Sequence, residues 1–219
     1  MDIKTIQEKL DEGRQYRNIN VQMMETRASD DGEKIVTGYA ATFNEPYELW
    51  SWDGYTVLEQ IDPAAFDDCD MSDVIMQYNH EGRVFARTSN GTLQLEVDKK
   101  GLKIEAKLGG TDLGRDVFDE IEGGYTTKMS FGFVVKEDKR EITEDRETGA
   151  VTVLRTITKI SKLYDVSAVS IPANDATSIS SRNYCEGVIA EIKQELLDRE
   201  NREREIERKK QVIRILLEV

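Results

Sequence analysis

The chain holds one histidine in 219 residues, two cysteines, three prolines and no long apolar run. Each scarcity removes a class of chemistry or architecture. A zinc site takes three or four nitrogen, sulfur or oxygen ligands, and His80 has neither a second histidine nor a nearby cysteine to join it. His80-Glu81-Gly82-Arg83 opens like a zinc-protease helix, but no histidine follows four residues on. Cys69 stands between Asp68 and Asp70, which disfavour a thiolate, and Cys185 adjoins Glu186 at the entrance to a charged tail. Neither suits a thiol nucleophile. Nothing in a chain of this size requires the two to pair, so a reduced cytosolic protein is expected. No segment approaches the roughly 20 apolar residues of a membrane span. Residues 1–15 lack the basic-then-apolar order of a secretion signal.

Basic side chains are in deficit too. Thirty Lys and Arg stand against 43 Asp and Glu, for a net charge of −13. An acidic surface repels phosphate backbones, and no Lys/Arg stripe interleaved with aromatics offsets it, so neither nucleic acid nor membrane is an expected partner. The apolar share is 38% and the charged share 33%, the first below the roughly 45–50% of globular chains. A modest core with charged appendages follows, in a chain long enough for one domain plus tails.

What is present is mostly strand-like. Residues 35–43, 74–78, 92–97, 102–108, 128–135, 151–160 and 163–171 are rich in β-branched and aromatic residues. Asp98-Lys99-Lys100-Gly101 is a hairpin turn between two of them. Residues 137–149 are highly charged and read as an exposed, mobile connection. Residues 44–52, with two tryptophans, read as a packed loop. One helix interrupts the β region, starting at Asp112, with Leu113, Val117, Phe118 and Ile121 as its apolar face and Gly123-Gly124 as its stop. The count suggests a mainly β fold with flanking helices (α+β), its sheet a closed or nearly closed antiparallel barrel of about seven strands.

Two appendages flank this region. Ile3, Ile6 and Leu10 share one face of a short helix within an N-terminal appendage over residues 1–18. Residues 183–219 form a charged C-terminal helix with Glu200–Arg204 and Glu205–Lys209 at favourable i,i+4 spacing. Its apolar seam is interrupted by Arg199, Glu203 and Lys210, which argues for a solvated helix rather than a coiled coil. Residues 19–182 are the expected main domain between them.

Carboxylates are plentiful enough to cluster by chance. Asp67, Asp68, Asp70 and Asp73 follow Pro63 at a spacing that matches no oxygen-ligand loop, so an exposed acidic turn is expected. Serine catalysis needs a base beside the hydroxyl and a third group to hold that base in the useful tautomer. His80 is the one candidate base, at the end of the strand that ends Gln77-Tyr78. Among the serines, Ser130 stands out within Met129-Ser130-Phe131-Gly132-Phe133, partly desolvated, with Gly132 leaving room for close backbone approach. Spacing alone leaves this the best of several weak constellations.

Five blocks in order resemble the tailed-phage prohead proteases, which are distantly similar in fold to the herpesvirus assemblins. They are Gly38-Tyr39-Ala40-Ala41-Thr42-Phe43-Asn44, Asn79-His80, Gly114-Arg115-Asp116-Val117, Met129-Ser130-Phe131-Gly132-Phe133 and Val166-Ser167-Ala168-Val169-Ser170-Ile171-Pro172-Ala173-Asn174. The resemblance implies Ser130 as nucleophile, His80 as its base and Asp165, just before the last block, as the third member. It implies a phage prohead maturation endopeptidase working without cofactor or metal inside the assembling procapsid, in the host cytoplasm. Its substrates would be the scaffold-like part of the major capsid protein and the chain itself, and the assemblin likeness favours a homodimer. The competing expectation is a non-catalytic capsid-assembly or scaffolding protein on the same fold.

Overall fold

Alternation of apolar and polar residues sorts the strands into two sheets with a shared core. The computed structural model describes residues 13–19, 24–28, 32–169 and 175–217, and the chain divides into two units, Met1–Ser181 and Arg182–Val219. The first unit holds β1 (Gln15–Ile19), β2 (Glu25–Ala28), β3 (Lys34–Thr42), β4 (Tyr47–Trp52), β5 (Tyr55–Ile61), β6 (Ile75–Tyr78), β7 (Glu81–Arg87), β8 (Leu93–Val97), β9 (Gly101–Lys107), α1 (Asp112–Glu122), β10 (Lys128–Glu144) and β11 (Val151–Val169). The helix α2 spans Asp175–Leu217. No helix among the described residues is long and apolar enough to cross a membrane.

The smaller sheet is antiparallel, in the order β2-β3-β9-β8. Along β9, Leu102, Ile104 and Ala106 are buried while Lys103, Glu105 and Lys107 are not, the period-two pattern of a strand with one wet face. The larger sheet runs β1-β10-β11-β5-β4, with β6 joining β11 and β7 joining β6. Met76, Met129, Phe131, Ile157 and Val166 from this sheet meet Val36, Leu102 and Ile104 from the other. Burial of this kind is worth about 25 cal/mol for each Å² of apolar surface removed from water. The helix α1 adds Val117, Phe118 and Ile121 to the same core, whereas Leu113 stays 41% exposed. Thr111 caps α1 by accepting from the Gly114 N–H at 3.0 Å, and Gly123 closes its last turn.

The sheets are open, which corrects the expected barrel. The long strand β11 is antiparallel to β10 on one side but parallel to both β5 and β6 on the other. A strand of 19 residues serves three neighbours in turn, and β1 and β4 end the order of the sheet without meeting. The two expected strands over 151–160 and 163–171 are this single element as far as Val169, residues 170–171 lying outside the described residues. The stretch 44–52 is not a loop but contains β4, paired with β5. Residues 137–144 likewise continue β10 rather than forming a mobile connection. Their charges are matched across the ladder, with Glu137 to Lys159 at 3.0 Å and Asp138 to Arg155 at 2.6 Å. Residues 15–18 belong to a strand, while the helix expected further upstream lies outside the described residues. On α2, Glu205 and Lys209 pair at 2.7 Å as their spacing suggests.

A buried ion cluster ties β1 to the sheet interior. Glu59, on β5, accepts from Arg17 through both oxygens, one at 3.0 Å, and from Arg155 at 2.7 Å. Arg17, Glu59 and Arg155 are each no more than 2% exposed. Burial pushes the Glu59 carboxyl up, but the charge and hydrogen bond of Arg17, then the charge of Arg155, outweigh it and hold the group below its ordinary value. A carboxyl depressed in this way contributes stability that is complete above its ordinary value and lost as pH falls through the depressed one. Glu59→Gln leaves two guanidiniums without their counter-charge and is expected to cost about 3–5 kcal/mol near neutrality. Chemical denaturation at about pH 7 and about pH 3 should show this gap narrowing in acid.

Close packing between the strands yields a second test. A Cβ on Gly101 would collide with the Ala41 carbonyl oxygen, whereas one on Gly110 meets open space. Gly101→Ala should destabilise the protein by about 1–3 kcal/mol, and Gly110→Ala by less than about 0.5 kcal/mol, both read from urea denaturation.

Candidate active site

Strand periodicity assembles the site from three elements of the larger sheet. In the β10–β11 ladder, Ser130 faces Ser167 and Gly132 faces Asp165, with the first register shift only beyond Gly132. Residues two apart on a strand share a face, so Ser130, Asp165 and Ser167 project to the same side. His80 arrives over that side from β6, which pairs with β11 through Asp165↔Ile75 and Ala168↔Tyr78.

The β6–β7 hairpin turns in two residues. Tyr78 pairs with Glu81, leaving Asn79 and His80 as the loop, with φ of 51° and 60°. Two left-handed residues in succession are the mark of the tight hairpin turn whose twist matches the strands. Asn and His are among the non-glycine residues enriched in this region, though each still costs about 1 kcal/mol there. The Asn79 N–H donates to the Ala168 carbonyl at 3.0 Å, which pins the turn to β11 beside the other site residues.

The three side chains expected from the sequence come together. His80 Nε2 lies 2.6 Å from Ser130 Oγ, and His80 Nδ1 contacts Asp165 Oδ1. A carboxylate only accepts, so Nδ1 carries a proton toward Asp165 and Nε2 is left to accept from the serine hydroxyl. Asp165 has the reach required of a short carboxylate because Gly132 faces it. A Cβ on Gly132 would run into Asp165 Oδ2 and, at 2.7 Å, into the Tyr16 ring.

Further residues complete the arrangement. Ser167 Oγ donates to Asp165 Oδ1 at 3.0 Å, the same oxygen that His80 Nδ1 contacts. The Tyr16 ring packs on the imidazole at 4.5 Å between centroids, tilted by 59°. Ser130 Oγ also lies 2.8 Å from the Arg17 carbonyl, to which it can donate. The single hydroxyl proton is therefore shared between two acceptors, His80 Nε2 and Arg17. Ser130, His80 and Asp165 are 0%, 1% and 3% exposed, with Tyr16 of β1 against the imidazole. Ser167 was legible as a neighbour two positions from Asp165. Tyr16 and Arg17 carried no sequence signal, because their placement depends on β1 pairing with a strand far along the chain.

The rejected alternatives have structural roles. Burial, and then the adjoining Asp70 charge, push the Cys69 thiol up to about 11, far from a ready thiolate. Asp70 and Asp73 are exposed and held at about 2, Asp70 by hydrogen bonds from Ser72 and Lys162, Asp73 by those from Arg87 and Ser89. These carboxylates pin the acidic turn to its neighbours. A depression of about 570 Å³ beside the hairpin, lined by Tyr78, Asn79, Phe85, Leu113 and Val117 among others, does not contain Ser130.

A hydroxyl, an imidazole and a carboxylate linked in this order define the constellation of serine-nucleophile hydrolases. The chain belongs to the Caudovirus prohead serine protease family, whose sequence profile it matches over residues 22–190. No curated protein matches it. Among solved structures, that of the bacteriophage T4 capsid assembly protease gp21 aligns over 71% of this chain and 95% of its own, at 9% identity and a TM-score of 0.36.

Gly132 makes the geometry testable. Gly132→Ala should push the Asp165 carboxylate away from His80 and slow modification of Ser130 by a fluorophosphonate at least about tenfold, a loss of roughly 1.4 kcal/mol in orienting the base. Mass spectrometry of the labelled peptide measures it.

Proposed function

We propose that the protein is a prohead maturation endopeptidase in which Ser130 is the nucleophile, His80 the general base and Asp165 the group that orients the imidazole. The observation that carries this is the 2.6 Å approach of Ser130 Oγ to His80 Nε2, with Asp165 on the other ring nitrogen. As Oγ adds to a peptide carbonyl carbon, its proton passes to Nε2, and Asp165 stabilises the imidazolium. His80 then returns the proton to the leaving amine, and water hydrolyses the acyl-enzyme by the same base. Ser167 keeps Asp165 facing Nδ1 throughout.

The substrates of this reading are the scaffold-like part of the major capsid protein and the chain's own tail, residues 183–219, inside the assembling procapsid. The capsid partner is supported by membership of the prohead protease family. The tail is a helix with Leu197, Ile206, Val212 and Ile213 half exposed among many charges, which suits an association element removed once assembly is complete. A homodimer is part of the same proposal.

Co-expression with the capsid protein separates this function from a non-catalytic assembly role. Wild type is expected to shorten the capsid subunit and Ser130→Ala to leave it whole; identical uncleaved subunits from both would defeat the protease reading. Asp165→Asn should lower turnover by about 10⁴-fold, because the imidazole then loses its required tautomer. Steady-state assays on a capsid-derived peptide give that number, and a loss below about tenfold would remove Asp165 from the assigned role.

A further inference from the structure

Building on the protease reading, we propose that the edge of β10 now covered by β1 is the groove for the substrate peptide. Within it, Glu59 selects an arginine or lysine as the residue preceding the cut. The bound ligand is an extended segment with a basic side chain, and β1 occupies the groove as an internal stand-in.

Sheet order makes the groove available. β1 ends the larger sheet, so its departure leaves β10 as an edge whose free N–H and C=O groups accept an added antiparallel strand. β1 also lies before residue 22, where the match to the protease family begins, so the segment that defines the family does not include it. The register then reads directly in terms of substrate. Arg17 presents its carbonyl oxygen 2.8 Å from Ser130 Oγ, and Asn18 is paired with Ser130. A peptide in this register would be cut after the residue that matches Arg17. Oγ bonds to that carbonyl carbon, the C–N bond to the next residue breaks, the leaving amine takes the proton from His80, and water releases a carboxylate.

The side chain at that position meets a built site. The Arg17 guanidinium donates to both Glu59 oxygens and to Gln15 Oε1 at 2.7 Å, while Tyr47 and Arg155 hold Glu59 from behind. With Arg17 present, the buried Glu59 carboxylate is held by two guanidiniums, while Asp138 pairs with Arg155 at 2.6 Å and with Arg140 at 3.9 Å. Without it, Glu59 must share Arg155 with Asp138, and the buried acid is left short of positive charge. An apolar or acidic side chain leaves that deficit in place, whereas a cation at the same depth removes it. The pocket is electrically complete only with a basic residue in it.

The test uses the full chain and two synthetic peptides with the sequence of residues 14–20, one natural and one with citrulline, the neutral near-isostere, at position 17. Arg17→Ala empties the pocket and loosens β1, and is expected to react with a fluorophosphonate faster than wild type. It should cut the natural peptide between its Arg17 and Asn18 positions. The citrulline peptide should be cut about tenfold to a hundredfold more slowly, the range set by a hydrogen bond to a charged partner. Adding Glu59→Gln should bring the two rates together, while Glu59→Asp retains the preference. The ratio on wild type serves equally if a variant does not fold. Equal rates on the two peptides, cleavage elsewhere in them, or an enzyme that takes up the reagent yet cuts neither would overturn the proposal. Absence of Ser130 labelling in both wild type and Arg17→Ala would instead overturn the protease reading beneath it.

Discussion

The ladder between β10 and β11 is the constraint on which the rest depends. It places Ser130 opposite Ser167 and Gly132 opposite Asp165, so the hydroxyl and carboxylate sit on one face with a gap for an imidazole between them. The outer edges of the same two strands recruit everything else. β11 takes β5 along its first half and β6 near its end, and β6 delivers His80 by its hairpin. A slip of one residue in this pairing would turn either Ser130 or Asp165 to the other face. The four register shifts along the ladder all lie beyond Gly132, away from Ser130.

Electrostatics divides the sheet into two kinds of region. Around His80, Ser167 holds Asp165 and the Tyr16 ring packs on the imidazole, while Met129, Phe131 and Val166 alternate with the site residues and face the core on the other side of the sheet. Further along, charges are packed inside, with Glu59 set between Arg17 and Arg155. Such a cluster is poor value as pure stabilisation, since well-packed apolar groups do as well or better. Its presence as a link from β1 to β5, two strands that do not pair, is better understood as specifying which strand, and which side chain, belongs at the β10 edge.

The strongly patterned parts of this architecture were legible in the sequence. The strands at β3, β6, β8 and β9 follow from β-branched runs between turn residues, and α1 follows from its apolar face and paired glycines. The Ser130, His80 and Asp165 set was reached largely through resemblance, because one histidine in a chain narrows the base without locating its partners. β1, β2, β4, β5 and β7 were missed; apart from β5, whose alternation was legible, each is short, charged or aromatic, with its strand character supplied by a neighbour rather than by its own composition. The open mixed sheet was missed for a related reason. Parallel pairing of β11 with β5 and β6 joins segments separated by many residues, and local periodicity carries no record of the direction in which such partners run. The charged half of β10 misled in the opposite way, since ion pairs across a ladder look from one strand alone like a solvated loop.

The hairpin at Asn79-His80 has a consequence for how such a protein drifts. A left-handed backbone at a non-glycine residue costs of the order of 1 kcal/mol, and glycine would relieve it at position 80 without altering the turn. The imidazole, however, is buried and is the shared partner of Ser130 and Asp165, so glycine there would leave two buried polar groups without it, at about 1–3 kcal/mol each. A lineage released from the need to cut would gain from relieving the turn only by replacing those groups as well. The three residues are tied to one another by folding as well as by chemistry, and they would be lost together rather than one at a time.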